Sequence, residues 1–175
     1  MTDERQRPPV TVEARRKAVD QTLTQLARTM EQLETAVTFF SPDFDLEAYS
    51  AAWYSKAPEK RNRAMLVRSN MDDLYNLCQT LIDRGVRLAQ DLGAIPADRK
   101  TPPSDQLRNE DLYPDEVEQL MRQAAYLRNW SQHQYWTLAP DQVHEVVNAA
   151  RACLPPFIAA IGAWVQGLSS ERTGE

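Results

Sequence analysis

Glycine is scarce in this chain, with five residues in 175. None stands in a Gly-x-Gly-x-x-Gly or Walker-type run, which excludes a glycine-rich cradle for nucleotide phosphates. Cysteine is scarcer still: Cys78 and Cys153 lack metal-ligand spacing and sit inside helical patterns, so both read as reduced core residues. There is no His-Glu-x-x-His pair, and no window alternates apolar and polar residues in the way a half-buried strand does. The most apolar run, Leu154 to Leu168, is short for a bilayer and holds Pro155-Pro156. The opening Met-Thr-Asp-Glu-Arg lacks the apolar core of a signal peptide, so a cytoplasmic protein without a membrane partner is expected. Basic charge is also lacking. Twenty Lys and Arg stand against 25 Asp and Glu, giving a net charge of −5. That balance excludes a general nucleic-acid-coating protein but leaves room for a local site that grips one phosphate.

Amphipathic periodicity dominates the rest. Residues 1–10 are polar, with a Pro-Pro pair, and read as a flexible tail; 11–168 read as one domain, and the polar 169–175 as a second tail. From Val12, a seam of Val19, Leu23, Leu26, Met30, Leu33 and Val37 predicts a long core helix that ends before Pro42. Asp45 to Ser55 predicts a short helix with Leu46, Tyr49 and Trp53 on one side. Pro58 opens a second long helix to about Leu92, with Val67, Met71, Leu74, Cys78, Leu81, Leu88 and Leu92 as its seam and Gly93 as its cap. Gly85 in that seam is expected to permit close helix approach. Arg61, Arg63, Arg68, Arg84 and Arg87 are scattered along the same helix, as a solvated face or as the border of an RNA groove. Ala94 to Asn109 reads as a long loop. Pro114-Asp115-Glu116 has the proline and carboxylates of a helix start, and Thr137 to Pro140 breaks that helix. A last helix begins at Asp141, and Pro155-Pro156 should kink or split it. The expected fold is all-α, an up-and-down bundle of four to five main helices.

The chemistry concentrates in Arg128-Asn129-Trp130-Ser131-Gln132-His133-Gln134-Tyr135. Arg128 and Tyr135 lie close to the apolar stripe of Val117, Leu120, Ala124 and Leu127, and a guanidinium so near a core needs an anionic or polar partner. Of the two histidines, His133 is the one grouped with a cation and an amide. His144 reads as a surface residue early in the last helix. For Trp53, Tyr75, Tyr113, Tyr126 and Trp130, core or interface packing is expected rather than base stacking. Imidazole, guanidinium and amide are the parts that metal-free RNA cleavage requires. An imidazole with a pKa near about 6.5 can take the proton of a ribose 2′-OH or give one to the leaving oxygen. An arginine can hold the phosphate bidentately and stabilise charge building on phosphorus. One histidine cannot comfortably be base and acid at once, so a two-fold homodimer with its site at the interface is expected. On a straight helix, Arg128 and His133 stand about 140° apart, so either the helix bends or the two groups meet across the dimer axis.

The run Arg128-Asn129-x3-His133-x-Tyr135, in this helical context, resembles the signature of HEPN domains, specifically HepT-type toxins. The resemblance extends over roughly Val12 to Leu168. It implies a HEPN-type bundle and a toxin of a type II toxin–antitoxin system: a metal-independent endoribonuclease with no cofactor, active as a homodimer on RNA rather than DNA. Arg128 and His133 match the family's catalytic positions, and Asn129 the assisting polar position. Tyr135 matches the tyrosine that a cognate minimal nucleotidyltransferase antitoxin modifies with AMP. Two departures stand out: Trp130-Ser131-Gln132 is more polar than the family's usual segment, and Gln134 stands where glycine is common. With the acidic net charge, they motivate an alternative, a catalytically weak or inactive HEPN-like binding module that partners a nucleotidyltransferase.

Overall fold

The computed structural model describes residues 10–133 and 139–170, and within residues 130–133 and 169–170 the backbone alone. Among the described residues there are six α-helices and no strand: α1 (Val12–Val37), α2 (Leu46–Trp53), α3 (Pro58–Asp91), α4 (Pro103–Asn109), α5 (Asp115–His133) and α6 (Pro140–Ser170). The all-α expectation holds. The sequence-predicted tails fall almost entirely outside the described residues.

The seam of α1 is buried at Val19, Leu26, Leu33 and Val37 and half-buried at Leu23 and Met30. It lies chiefly against α3, whose Val67, Met71, Leu74, Cys78, Leu81 and Leu88 are buried in turn. The two helices run antiparallel. Arg15 near the start of α1 pairs with Asp91 at the end of α3, and Arg84 donates to Ala18 O (3.0 Å) and Thr22 Oγ1 (2.8 Å). Glu34 and Arg151 form a two-point ion pair, Nε–Oε1 2.8 Å and Nη2–Oε2 3.0 Å, that fastens α6 to α1. A two-point geometry of this kind fixes register as well as proximity.

Local chemistry accounts for the helix ends. Thr11 and Asp45 accept from the backbone N–H of Ala14 and Ala48, which caps α1 and α2. Gly93 closes α3 with φ 71°, and Ala94 N–H returns to Ala89 O at 2.9 Å, the ring of a left-handed helix cap. Phe44, fully buried before α2, packs on Phe40 and Tyr49 and stacks on His144 with ring centroids 4.7 Å apart.

Four expectations need correction. The span Ala94 to Asn109 is not one loop, because Pro103–Asn109 is helical with a fully buried Leu107. The remaining connection is tied down: Gln106 Nε2 donates to Thr101 O (2.8 Å) and Asp98 O (3.0 Å), while Gln90 Nε2 donates to Gln106 Oε1 (2.8 Å). Pro155-Pro156 do not split α6, which continues through both. Each proline is exposed while Leu154 and Phe157 are buried, so the missing hydrogen bonds lie on the outer side and core packing holds the helix line. That continuity joins two apolar halves: Pro140–Leu168 is long and apolar enough to cross a membrane by length and composition. In the bundle, its Val143, Val147, Ala150, Leu154, Phe157 and Ile161 are buried as core. Finally, His144 is half-buried, with its Nε2 2.6 Å from Phe44 O; it is a structural residue rather than a surface one.

Gly85 also differs in its reason. A Cβ there would meet Trp164 Cζ3 at 3.7 Å and Ile161 Cγ2 at 3.9 Å, which is ordinary contact. Close helix approach therefore does not require the glycine. Gly85→Ala is expected to stabilise the fold by about 0.5–1 kcal/mol through helix propensity and a less flexible unfolded chain. Urea denaturation measures this directly; a lower midpoint in the variant would mean that the α3–α6 contact has no room for the methyl group.

Candidate functional site

Helix α5 buries Val117, Leu120, Ala124 and Leu127, and this stripe sets where every other side chain on it points. Arg128 follows the last of these and is half-buried against α3, with its Cζ 5.7 Å from the centroid of the Tyr75 ring. Tyr75 is itself buried, and its hydroxyl accepts from Gln79 Nε2 at 2.7 Å. A guanidinium over an aromatic face gains electrostatic attraction to the ring.

One turn back from Tyr75 on α3 stands Asp72, and two turns back the buried Arg68. Burial raises the carboxyl of Asp72 above its ordinary range, the positive charges of Arg68 and Arg128 draw it back down, and Asp73 adds to the rise. Arg68, Asp72, Tyr75 and Gln79 are spaced i, i+4, i+7 and i+11, so they form one polar stripe along α3, buried at Arg68 and Tyr75, half-buried at Asp72 and exposed at Gln79. The need for a polar partner beside Arg128 is thus met by Tyr75 and Asp72. Reading the arginines of α3 as a solvated face or a groove border missed this. Arg61, Arg63 and Arg87 are exposed, whereas Arg68 is buried in the stripe and Arg84 holds α1. The signal that could have found the stripe is its spacing, an Arg-x3-Asp pair one turn before a tyrosine at a seam edge.

Asn129 is exposed on the outer side of α5. Helix α5 is continuous through His133, its last residue, so Arg128 and His133 stand about 140° apart in helical register. The side chain of His133 lies outside what the structure describes, and Tyr135 and Gln134 lie outside the described residues altogether. The structure thus brings Arg128 to Asp72, Arg68 and Tyr75, places Asn129 about 100° further round α5 on its exposed side, and describes nothing of how His133 and Tyr135 meet them.

Trp53, Tyr75 and Tyr113 are buried as core, Tyr126 is 50% exposed on α5 and so is not a core residue of one copy, and the side chain of Trp130 lies outside what the structure describes. Its position on the helix is opposite the apolar stripe. Both cysteines are free; burial pushes the thiol of Cys78 up to about 12, the behaviour of a core residue rather than a nucleophile.

The raised carboxyl of Asp72 carries a sign. An acid whose folded pKa lies above its unfolded value opposes folding when ionised, and this cost vanishes as pH falls below the unfolded pKa. Asp72→Asn is therefore expected to raise Tm at neutral pH, with the gain over wild type shrinking toward pH about 3. Thermal melts across pH measure it. A variant less stable than wild type at pH 7 would show that attraction to Arg68 and Arg128 outweighs the burial of the charge.

Comparison with known proteins adds one match. No curated protein and no solved structure matches the chain. A family model described as ribonuclease HepT-like matches residues 59–161, from the first turn of α3 to the fully buried Ile161 of α6. That span is more than half of the chain and contains the polar stripe of α3, Arg128, Asn129, His133 and Tyr135. The chain belongs to the HepT-like ribonuclease family.

Proposed function

We propose that this protein is a toxin of the HEPN type, a metal-independent endoribonuclease that acts as a homodimer. The observation that supports this reading most is the coincidence of Arg128-x4-His133-x-Tyr135 with a braced, half-buried guanidinium inside the family's matched span. Arg128 would hold the scissile phosphate through its guanidinium fork. His133 would take the proton of the 2′-OH as its oxygen attacks phosphorus. The P–O5′ bond breaks, a protonated imidazole supplies the proton to the leaving oxygen, and a 2′,3′-cyclic phosphate is left. Because Arg128 and His133 diverge in register along an unbroken helix, the arginine of one copy is best matched with the histidine of a second. Asn129, exposed beside them, would orient the ribose or a phosphate oxygen.

Neutralisation follows the same logic. The Tyr135 hydroxyl would attack the α-phosphate of ATP bound by a cognate minimal nucleotidyltransferase and release pyrophosphate. The AMP added in this way carries a negative phosphate and a bulky base to the arginine of the site, where it competes with RNA. RNA substrate, antitoxin and homodimer are the partners of this reading, in the cytoplasm.

The test is RNA cleavage in the presence of a chelator, by protein made with and without the nucleotidyltransferase. His133→Ala and Arg128→Ala should each lower the rate by about 10²-fold or more. Arg128→Lys should recover only part of the loss, since a lysine lacks the two-pronged geometry. Mass added in units of AMP on Tyr135 should track the loss of cleavage. Wild-type protein that leaves RNA intact while unmodified would replace this reading with that of a binding module for the nucleotidyltransferase.

A further inference from the structure

We infer that the cleft between α5 and α6 is a pocket for a single RNA base, with guanine as its preferred occupant. This rests on the ribonuclease reading and deepens it, because nothing above assigns how the enzyme chooses a nucleotide. The cleft has a volume of about 300 Å³, the lower end of the range for small-ligand sites. Its floor is Leu127 and Val146, both buried, and Tyr126 stands half-exposed at its side. Gln142 and Glu145 line it from α6, and Arg122 lies at its edge, paired with Glu118. Apolar floor and aromatic wall suit the two faces of a base. The carboxylate of Glu145 suits its edge: guanine alone among the four bases offers two adjacent donors, N1–H and the 2-amino group, to one carboxylate. Gln142 adds an acceptor and a donor for the remaining polar atoms.

Position connects this pocket to the motif. Arg122, Tyr126 and Asn129 are spaced i, i+4 and i+7 on α5, and the backbone of His133 continues the series at i+11. A base held at Tyr126 lies about 10 Å along the helix from the His133 position, roughly three steps of stacked nucleotides and fewer in an extended strand. The cleft therefore serves a nucleotide near the scissile one. A second protein copy fits it less well. Arg122 and Glu145 border it, whereas the centres of protein interfaces are depleted of charged residues.

The experiment titrates full-length protein with GMP, AMP, CMP and UMP, for wild type, Tyr126→Ala, Tyr126→Phe and Glu145→Gln, alongside oligomeric state and cleavage-site mapping on a mixed-sequence RNA. GMP should bind tightest. Tyr126→Ala should weaken every nucleotide by about five- to a hundredfold, and Tyr126→Phe should restore most of it. Glu145→Gln should erase the preference for GMP and move cleavage away from sites near guanine. Equal affinity for all four nucleotides, unaltered binding in Tyr126→Ala, or a Tyr126→Ala variant that changes oligomeric state instead of affinity would each overturn the proposal. The last would identify the cleft as an interface between copies. Guanine-selective binding without any RNA cleavage would support the pocket while refuting the nuclease reading; cleavage without nucleotide binding would do the reverse.

Discussion

The packing of α3 on α5 leaves a carboxylate, Asp72, half-buried within the fields of two guanidinium groups, Arg68 and Arg128, and that contact sets where the charged groups stand. Arg68 and Arg128 repel one another, and a low-dielectric surrounding would sharpen the repulsion. Asp72 offsets it, and the ring of Tyr75 supplies a second negative face under Arg128. The seam residues next to the stripe, Val67, Met71 and Leu74, are buried, so the hydrophobic contact that builds the fold also sets the spacing of the charged groups. Packing and chemistry share one helix, offset by about a quarter-turn.

This explains how an acidic protein can belong to a ribonuclease family. Net charge governs long-range attraction, which is screened beyond about 10 Å at moderate salt. A phosphate at Arg128 senses chiefly the charges near it. Elsewhere, basic residues are consumed by structure: Arg15 by Asp91, Arg84 by α1, Arg151 by Glu34, and Arg108 and Arg122 by Glu118. These five arginines serve the fold rather than a coat of positive charge.

The helices were legible because their signals are local and periodic. The seam of α1, the proline and carboxylates before α5 and the glycine after α3 each act within a few residues. The errors came from interactions that span the fold. Pro155-Pro156 lie in a helix held by distant core contacts, Pro103–Asn109 gains its helix by burying Leu107, and His144 owes its burial to Phe44, a hundred residues away. For the site, Arg128 and Asn129 could be named from a motif, but the brace at Asp72 and Tyr75 requires knowing which face of α3 meets α5. Tyr126 could not be separated from core aromatics by type alone; its angle relative to the apolar stripe separates it.

The two prolines of α6 have a thermodynamic consequence. Without N–H groups at 155 and 156, the carbonyls of Arg151 and Ala152 have no donor from the following turn. The ladder that makes a helix melt as one unit is thinned there, next to the Arg151–Glu34 clamp. Before the break, α6 packs on Phe44 and lines the α5 cleft through Val146; after it, Gly162 meets Leu23 and Ile161 meets Gly85. Across those two residues the continuity of α6 therefore rests on side chains, on the buried Leu154 and Phe157 and the Arg151–Glu34 clamp, rather than on the backbone ladder.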